Sequence, residues 1–166
     1  EPTNTVIYNE CINNVCKYCP KLLLWEHHPF VVRIGKSFDK TQSIIDILNK
    51  NNVKATFFLV GMWVDKNEEL VKKIDESGFE IGTHSNTHPD MTKLSYGQMK
   101  EELKASCKII YETTYIEPKL FRAPYGAYND TLMDATKELK LSTIQWDVDT
   151  LDWKGLSAES ITLRIL

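Results

Sequence analysis

The chain has 166 residues, a formal net charge of −3, 42% hydrophobic and 26% charged residues, which is enough for one globular domain with a hydrophobic core. The mild acidic balance argues against nucleic acid as a partner. The longest apolar runs, Leu22 to Trp25 and Phe57 to Val60 among them, are far too short to cross a bilayer, so no transmembrane segment is expected.

Residues 1–29 are rich in Asn and Cys and have no clear period, and we read them as an N-terminal extension. Within it Cys11, Cys16 and Cys19 form C-x4-C-x2-C. That spacing could serve a metal or an iron–sulfur cluster with a fourth ligand from Cys107, His27 or His28. A local disulfide or free thiols is the plainer alternative, because three thiols without a close fourth make an incomplete site.

From Phe30 the pattern becomes regular. Phe30 to Ile34 reads as a strand, and Thr41 to Asn51 as a helix with Ile44, Ile45, Ile47 and Leu48 at helical spacing. Ala55 to Val60 is a second strand, Asn67 to Ser77 a helix stopped by Gly78, and Phe79 to Gly82 a third strand. Ser95 and Gln98 have capping-box spacing, so a long helix should run from about Tyr96 to Glu112. Lys119 to Arg122 reads as a fourth strand, Asp130 to Leu139 as a helix and Thr143 to Trp146 as a fifth strand, with a last helix from near Ser157. Alternating strands and helices imply crossovers and a mostly parallel sheet.

Polar residues gather just after the strands, where α/β proteins build sites. After the third comes Thr83-His84-Ser85-Asn86-Thr87-His88-Pro89. His84 and His88 are candidate metal ligands. Pro89 disfavours helical geometry at His88, so the pair should sit in a loop or a single turn. After the fourth strand comes Arg122-Ala123-Pro124-Tyr125-Gly126. Its Arg can hold a carboxylate, and its Pro and Gly set a tight loop that can aim a backbone N–H at a reacting oxygen. After the fifth comes Asp147-Val148-Asp149-Thr150-Leu151-Asp152-Trp153, whose acids could hold a cation, orient a histidine or cap a helix.

Together these motifs resemble the NodB-homology polysaccharide deacetylases, over roughly residues 30–166. The KATFFLVG run up to Gly61 is similar to that family's second strand, Gly78 to Pro89 to its metal-binding motif, Arg122 to Gly126 to R-x-P-x-G, and Asp149 to Trp153 to D-x-x-D-W. Tyr128, Ile144 to Gly155 and Ala158 to Ile161 are similar to the spore-forming bacterial branch. The resemblance implies a distorted, incomplete (β/α) barrel. It implies removal of acetyl from N-acetylglucosamine units of peptidoglycan or chitin-like polymers, outside the cell or in its envelope. It also implies a divalent metal, zinc foremost, held by His84 and His88. By the same resemblance Asp39, in Ser37-Phe38-Asp39, is the catalytic base and Arg122 steadies it. The backbone N–H of Tyr125 meets the oxyanion, Asp149 tunes an acid histidine, Trp153 packs beside it, and Tyr125 and Trp153 touch substrate.

Two departures stand out. Lys40 occupies the position of the family's metal-binding Asp, and the following connection is short, through a natural loss or a stretch of chain missing near Gly35 to Lys40. The family's late Leu-His pair has no counterpart before Leu166, so the domain over 30–166 is expected to be C-terminally incomplete. His27 or His28 could substitute as a ligand. The alternative reading is therefore a catalytically inactive homologue that binds glycan or serves a structural role. The sequence leaves the glycan, the metal and the oligomeric state open.

Overall fold

The computed structural model describes residues 30–34, 41–146, 151 and 154–165. Five strands, β1 (Phe30–Ile34), β2 (Ala55–Leu59), β3 (Glu80–Thr83), β4 (Leu120–Phe121) and β5 (Ser142–Thr143), form one sheet in the order β1-β2-β3-β4-β5. The pairs β2–β3, β3–β4 and β4–β5 are parallel, with Leu59 opposite Thr83 and Thr83 opposite Phe121. Each parallel step needs a crossover. Helices α2 (Gly61–Val64) and α3 (Glu68–Glu76) cross from β2 to β3, α4 (Tyr96–Thr114) from β3 to β4, and α5 (Asp130–Glu138) from β4 to β5. This is the expected α/β fold with parallel strands, and among the described residues the sheet is open rather than closed into a ring.

Contacts divide the chain into two compact units. The larger lies within Val31–Lys36 and Thr56–Gln145. Strand β2 is buried on both faces, with Thr56, Phe57, Phe58 and Leu59 all buried, as a covered parallel sheet requires. Helix α3 buries Val71 and Ile74. Helix α4 buries Met99, Leu103, Ser106, Ile110 and Thr114, a stripe at helical spacing. Met91, Met99, Leu103, Phe121 and Leu132 join one core cluster. The capping box is complete: the Ser95 hydroxyl accepts from the Gln98 N–H, and the Gln98 side chain accepts from the Ser95 N–H.

The smaller unit contributes α1 (Thr41–Lys50), which buries Ile44, Ile45 and Leu48 on one face, and α6 (Ala158–Ile165), where Ala158 and Ile161 pack with Leu156. The strands β4 and β5 are shorter than the apolar runs suggest, although the Arg122 N–H continues the ladder by donating to the Thr83 carbonyl at 3.0 Å. The one-turn α2 interrupts what reads as a plain strand-to-helix connection.

Candidate active site

The ends of β3 and β4 build the site. His84 is held by the sheet itself: its N–H donates to the Leu59 carbonyl at 2.9 Å. The residue is 3% exposed, and its Nδ1 lies 2.7 Å from the Arg122 carbonyl. A carbonyl can only accept, so that nitrogen carries a proton, and in the neutral ring the lone pair is on Nε2. A backbone carbonyl fixing one imidazole nitrogen in this way is the usual support of a metal-binding histidine.

The chain then turns sharply. Ser85 has φ 67° and His88 φ 63°, both left-handed and both unusual for residues with a Cβ. Each such residue costs about 1–3 kcal/mol unless its surroundings over-determine it. Three sets of bonds do so. The N–H groups of Gly61 and Met62 donate to the carbonyls of Ser85 and Asn86 at 3.0 Å. The Ser85 hydroxyl accepts from the His88 N–H at 3.0 Å. From α4, Glu102 accepts from the N–H groups of Asn86 and Thr87 at 2.9 and 2.8 Å and from the Thr87 hydroxyl at 2.8 Å. The expectation of a loop at the pair holds, and the left-handed turn brings the rings of His84 and His88 edge to face at 4.9 Å.

His88 in turn meets the ring of Tyr125 at 4.9 Å. Tyr125 sits in a 3₁₀ turn, Pro124–Gly126, with φ 59°, and the residue is 69% exposed. The N–H groups of Gly126 and Ala127 are taken by the carbonyls of Ala123 and Pro124, whereas no hydrogen bond among the described residues takes the Tyr125 N–H. Arg122 is buried, with its guanidinium 4.8 Å from the centroid of Phe58. Its Nε and Nη2 reach the carbonyls of Ile144 and Gln145 at 3.4 Å. Phe58 can lie there because Gly82 has no side chain: a Cβ would come within 2.7 Å of the ring.

The structure thus brings four of the expected site residues together, His84, His88, Arg122 and Tyr125, while Asp39, Asp149 and Trp153 lie outside the described residues, as do Lys40 and the cysteines of the extension. Two imidazoles with one tautomer fixed suit a divalent cation. No group of three or more His, Cys, Asp or Glu gathers among the described residues. Sequence reasoning did not single out Glu102, Ser85 or Phe58, whose parts depend on contacts distant in the chain or on backbone geometry.

An α/β sheet with paired imidazoles at its strand ends defines a class of site rather than one protein. The comparisons narrow it. Residues 35–144 match the polysaccharide deacetylase family, and the chain belongs to that family. It is 38% identical to YlxY of Bacillus subtilis (strain 168) over 82% of this chain and 43% of that protein. It is 36% identical to the peptidoglycan-N-acetylglucosamine deacetylase of Bacillus cereus over 80% of this chain and 48% of that protein. Among solved structures it is similar to a CE4 family pseudoenzyme from Bacillus anthracis, with TM-score 0.80 and 32% identity, covering 82% of this chain and 49% of that one. A mutant of that pseudoenzyme, described as having restored enzymatic activity, matches with the same TM-score of 0.80. The chain therefore spans about half the length of these relatives.

Proposed function

We propose that this chain carries the metal-dependent N-deacetylase activity of its family, hydrolysing the acetamide of N-acetylglucosamine units in peptidoglycan or a chitin-like polymer. Residues 30–166 are the deacetylase domain and 1–29 an extension. The observation that carries the reading is the His84 ring. Its proton is fixed on Nδ1 by the Arg122 carbonyl, and it stands edge to face with His88 beside the R-x-P-x-G turn.

His84 and His88 would hold the cation, zinc foremost, which when bound polarises the acetyl carbonyl and acidifies water. Asp39 takes the proton of the attacking water as general base. Arg122, buried against Phe58, orients that carboxylate. Negative charge developing on the acetyl oxygen is met by the Tyr125 N–H, which no other group among the described residues uses. The exposed Tyr125 ring offers an apolar face to a pyranose, and Trp153 adds another. Asp149 tunes the acid that protonates the leaving amine. A polysaccharide substrate fits a protein acting outside the cell or in its envelope, and no helix among the described residues is long and apolar enough to cross a membrane.

Two observations favour a second reading, a catalytically inactive homologue that binds glycan or has a structural role. Lys40 stands where the resemblance calls for a metal-binding Asp, and a B. anthracis pseudoenzyme is among the similar structures. The two readings separate on incubation with zinc and an N-acetylglucosamine oligomer. The first predicts zinc-dependent acetate release, abolished by His84→Ala. Bound glycan with no acetate at any zinc concentration establishes the second.

A further inference from the structure

We infer that Glu102 is a positioning residue for the histidine pair: its carboxylate, projected from α4, sets the geometry of His88 relative to His84 without itself touching either ring. The inference rests on the metal-site reading for its consequence in binding, though its geometric content does not.

The loop between the ligands has only three residues, Ser85, Asn86 and Thr87, and two left-handed positions, Ser85 and His88. A loop so short transmits any backbone rotation straight to the second imidazole. Its N-terminal half is tied to the sheet and to α2 by the His84 N–H and by the Ser85 and Asn86 carbonyls. Its C-terminal half has different supports. The N–H groups of Asn86 and Thr87 point the same way and converge on one oxygen, Oε2, of Glu102, at 2.9 and 2.8 Å. The Thr87 hydroxyl donates to the other oxygen, Oε1, at 2.8 Å. Successive N–H groups closing on an anion form a nest, an arrangement that a carboxylate matches and a neutral or shorter side chain matches less well. With Glu102 gone, the Asn86 and Thr87 N–H groups can turn to water, while the Ser85 hydroxyl still accepts from the His88 N–H next to the ring.

Glu102 lies on a rigid element. Leu103 and Ser106 beside it are fully buried, and Ser106 bonds the Thr83 hydroxyl at 2.6 Å at the end of β3. The same helix therefore references both the strand that carries His84 and the turn that carries His88. Supports of this kind around a metal ligand are commonly worth about 10–100-fold in metal affinity.

The test compares the protein with Glu102→Ala and Glu102→Gln in two measurements. Glutamine keeps an oxygen for the two N–H groups and can turn its amide toward Thr87, so it should rescue much of what alanine loses. In the metal-free protein, NMR shifts of the His88 and Tyr125 ring protons should move in E102A and return toward the parent in E102Q. On titration with cobalt(II), E102A should bind about 10–100-fold more weakly with altered d–d bands, and E102Q within about fivefold of the parent. Lower thermal stability with unchanged ring shifts and cobalt affinity would reduce Glu102 to a structural residue and overturn the inference. If the parent protein binds no cobalt, the metal reading fails, and the ring shifts alone decide: unmoved rings in E102A overturn the positioning role, and moved rings with rescue by E102Q sustain it.

Discussion

Replacing Gly61 by alanine probes how tightly the histidine turn is set. A Cβ at Gly61 would lie 2.4 Å from the Asn86 Oδ1 atom, 3.1 Å from the Ser106 Cα and 3.3 Å from the Asn86 Cα. The first contact could be relieved by the Asn86 side chain, whose buried Oδ1 has no hydrogen-bond partner among the described residues. The other two are backbone, one in α4 and one in the turn between the ligands, so relief must displace one of them. Overpacking of this kind costs about 1–3 kcal/mol, and two backbone contacts argue for the upper end. The helix propensity gained on replacing glycine returns at most about 1 kcal/mol. The net is a loss of about 2 kcal/mol, a fall of roughly 4–8 °C in melting temperature for a protein of this size. Because the turn rather than α4 is the softer partner, metal affinity should fall with it. Thermal unfolding with and without zinc measures both. A melting temperature within a degree of the parent, with unchanged zinc binding, would refute the packing argument.

Other outcomes follow from the same geometry. His84→Ala should abolish metal binding and acetate release together, read by calorimetric zinc titration and acetate assay, whereas a change at an outlying surface position such as Lys72→Ala should leave both unaltered. Gly82→Ala should drive the Phe58 ring from under Arg122, since the added Cβ would sit 2.7 Å from it, lowering turnover more than zinc affinity. Burial, with a smaller contribution from Glu117, pushes the Cys107 thiol up to about 11. In the native protein at pH 8 its peptide should therefore resist alkylation, and denaturation should expose it, as peptide mass mapping will report. The sign for stability is a loss toward alkaline pH: the unfolded chain deprotonates this thiol near its ordinary value of 9, the folded protein not until about 11, so the contribution is complete below 9 and falls away through that window. Alkaline unfolding of Cys107→Ser should lack that component.

Much of the fold was legible because the signals are local. Apolar runs bounded by Gly61 and Gly78 mark β2 and the end of α3, and Ser95 with Gln98 announces the start of α4 by a bond pair that forms as its spacing requires. The histidine loop was legible through Pro89, which bars a helix at His88. What no local pattern reveals is the left-handed backbone at Ser85, His88 and Tyr125, since none of them is glycine. Glu102 is invisible for a different reason: in the run Lys100-Glu101-Glu102-Leu103-Lys104 it looks like any solvated helix face, and its partners lie 15 and 16 residues away. Arg122 is marked by its motif, but its burial is not: Gly82 makes room for the Phe58 ring beside which the guanidinium lies in the interior. The proposed roles of Asp39, Asp149 and Trp153 rest on their motifs alone.

The claim that His84 and His88 hold a catalytic metal is tested most directly by X-ray absorption on the zinc-loaded protein. The account predicts nitrogen and oxygen neighbours at about 2.0–2.1 Å with outer-shell scattering from two imidazoles, reduced to one in His88→Ala. Sulfur neighbours at about 2.3 Å would place the zinc on the cysteines of the extension instead and contradict it.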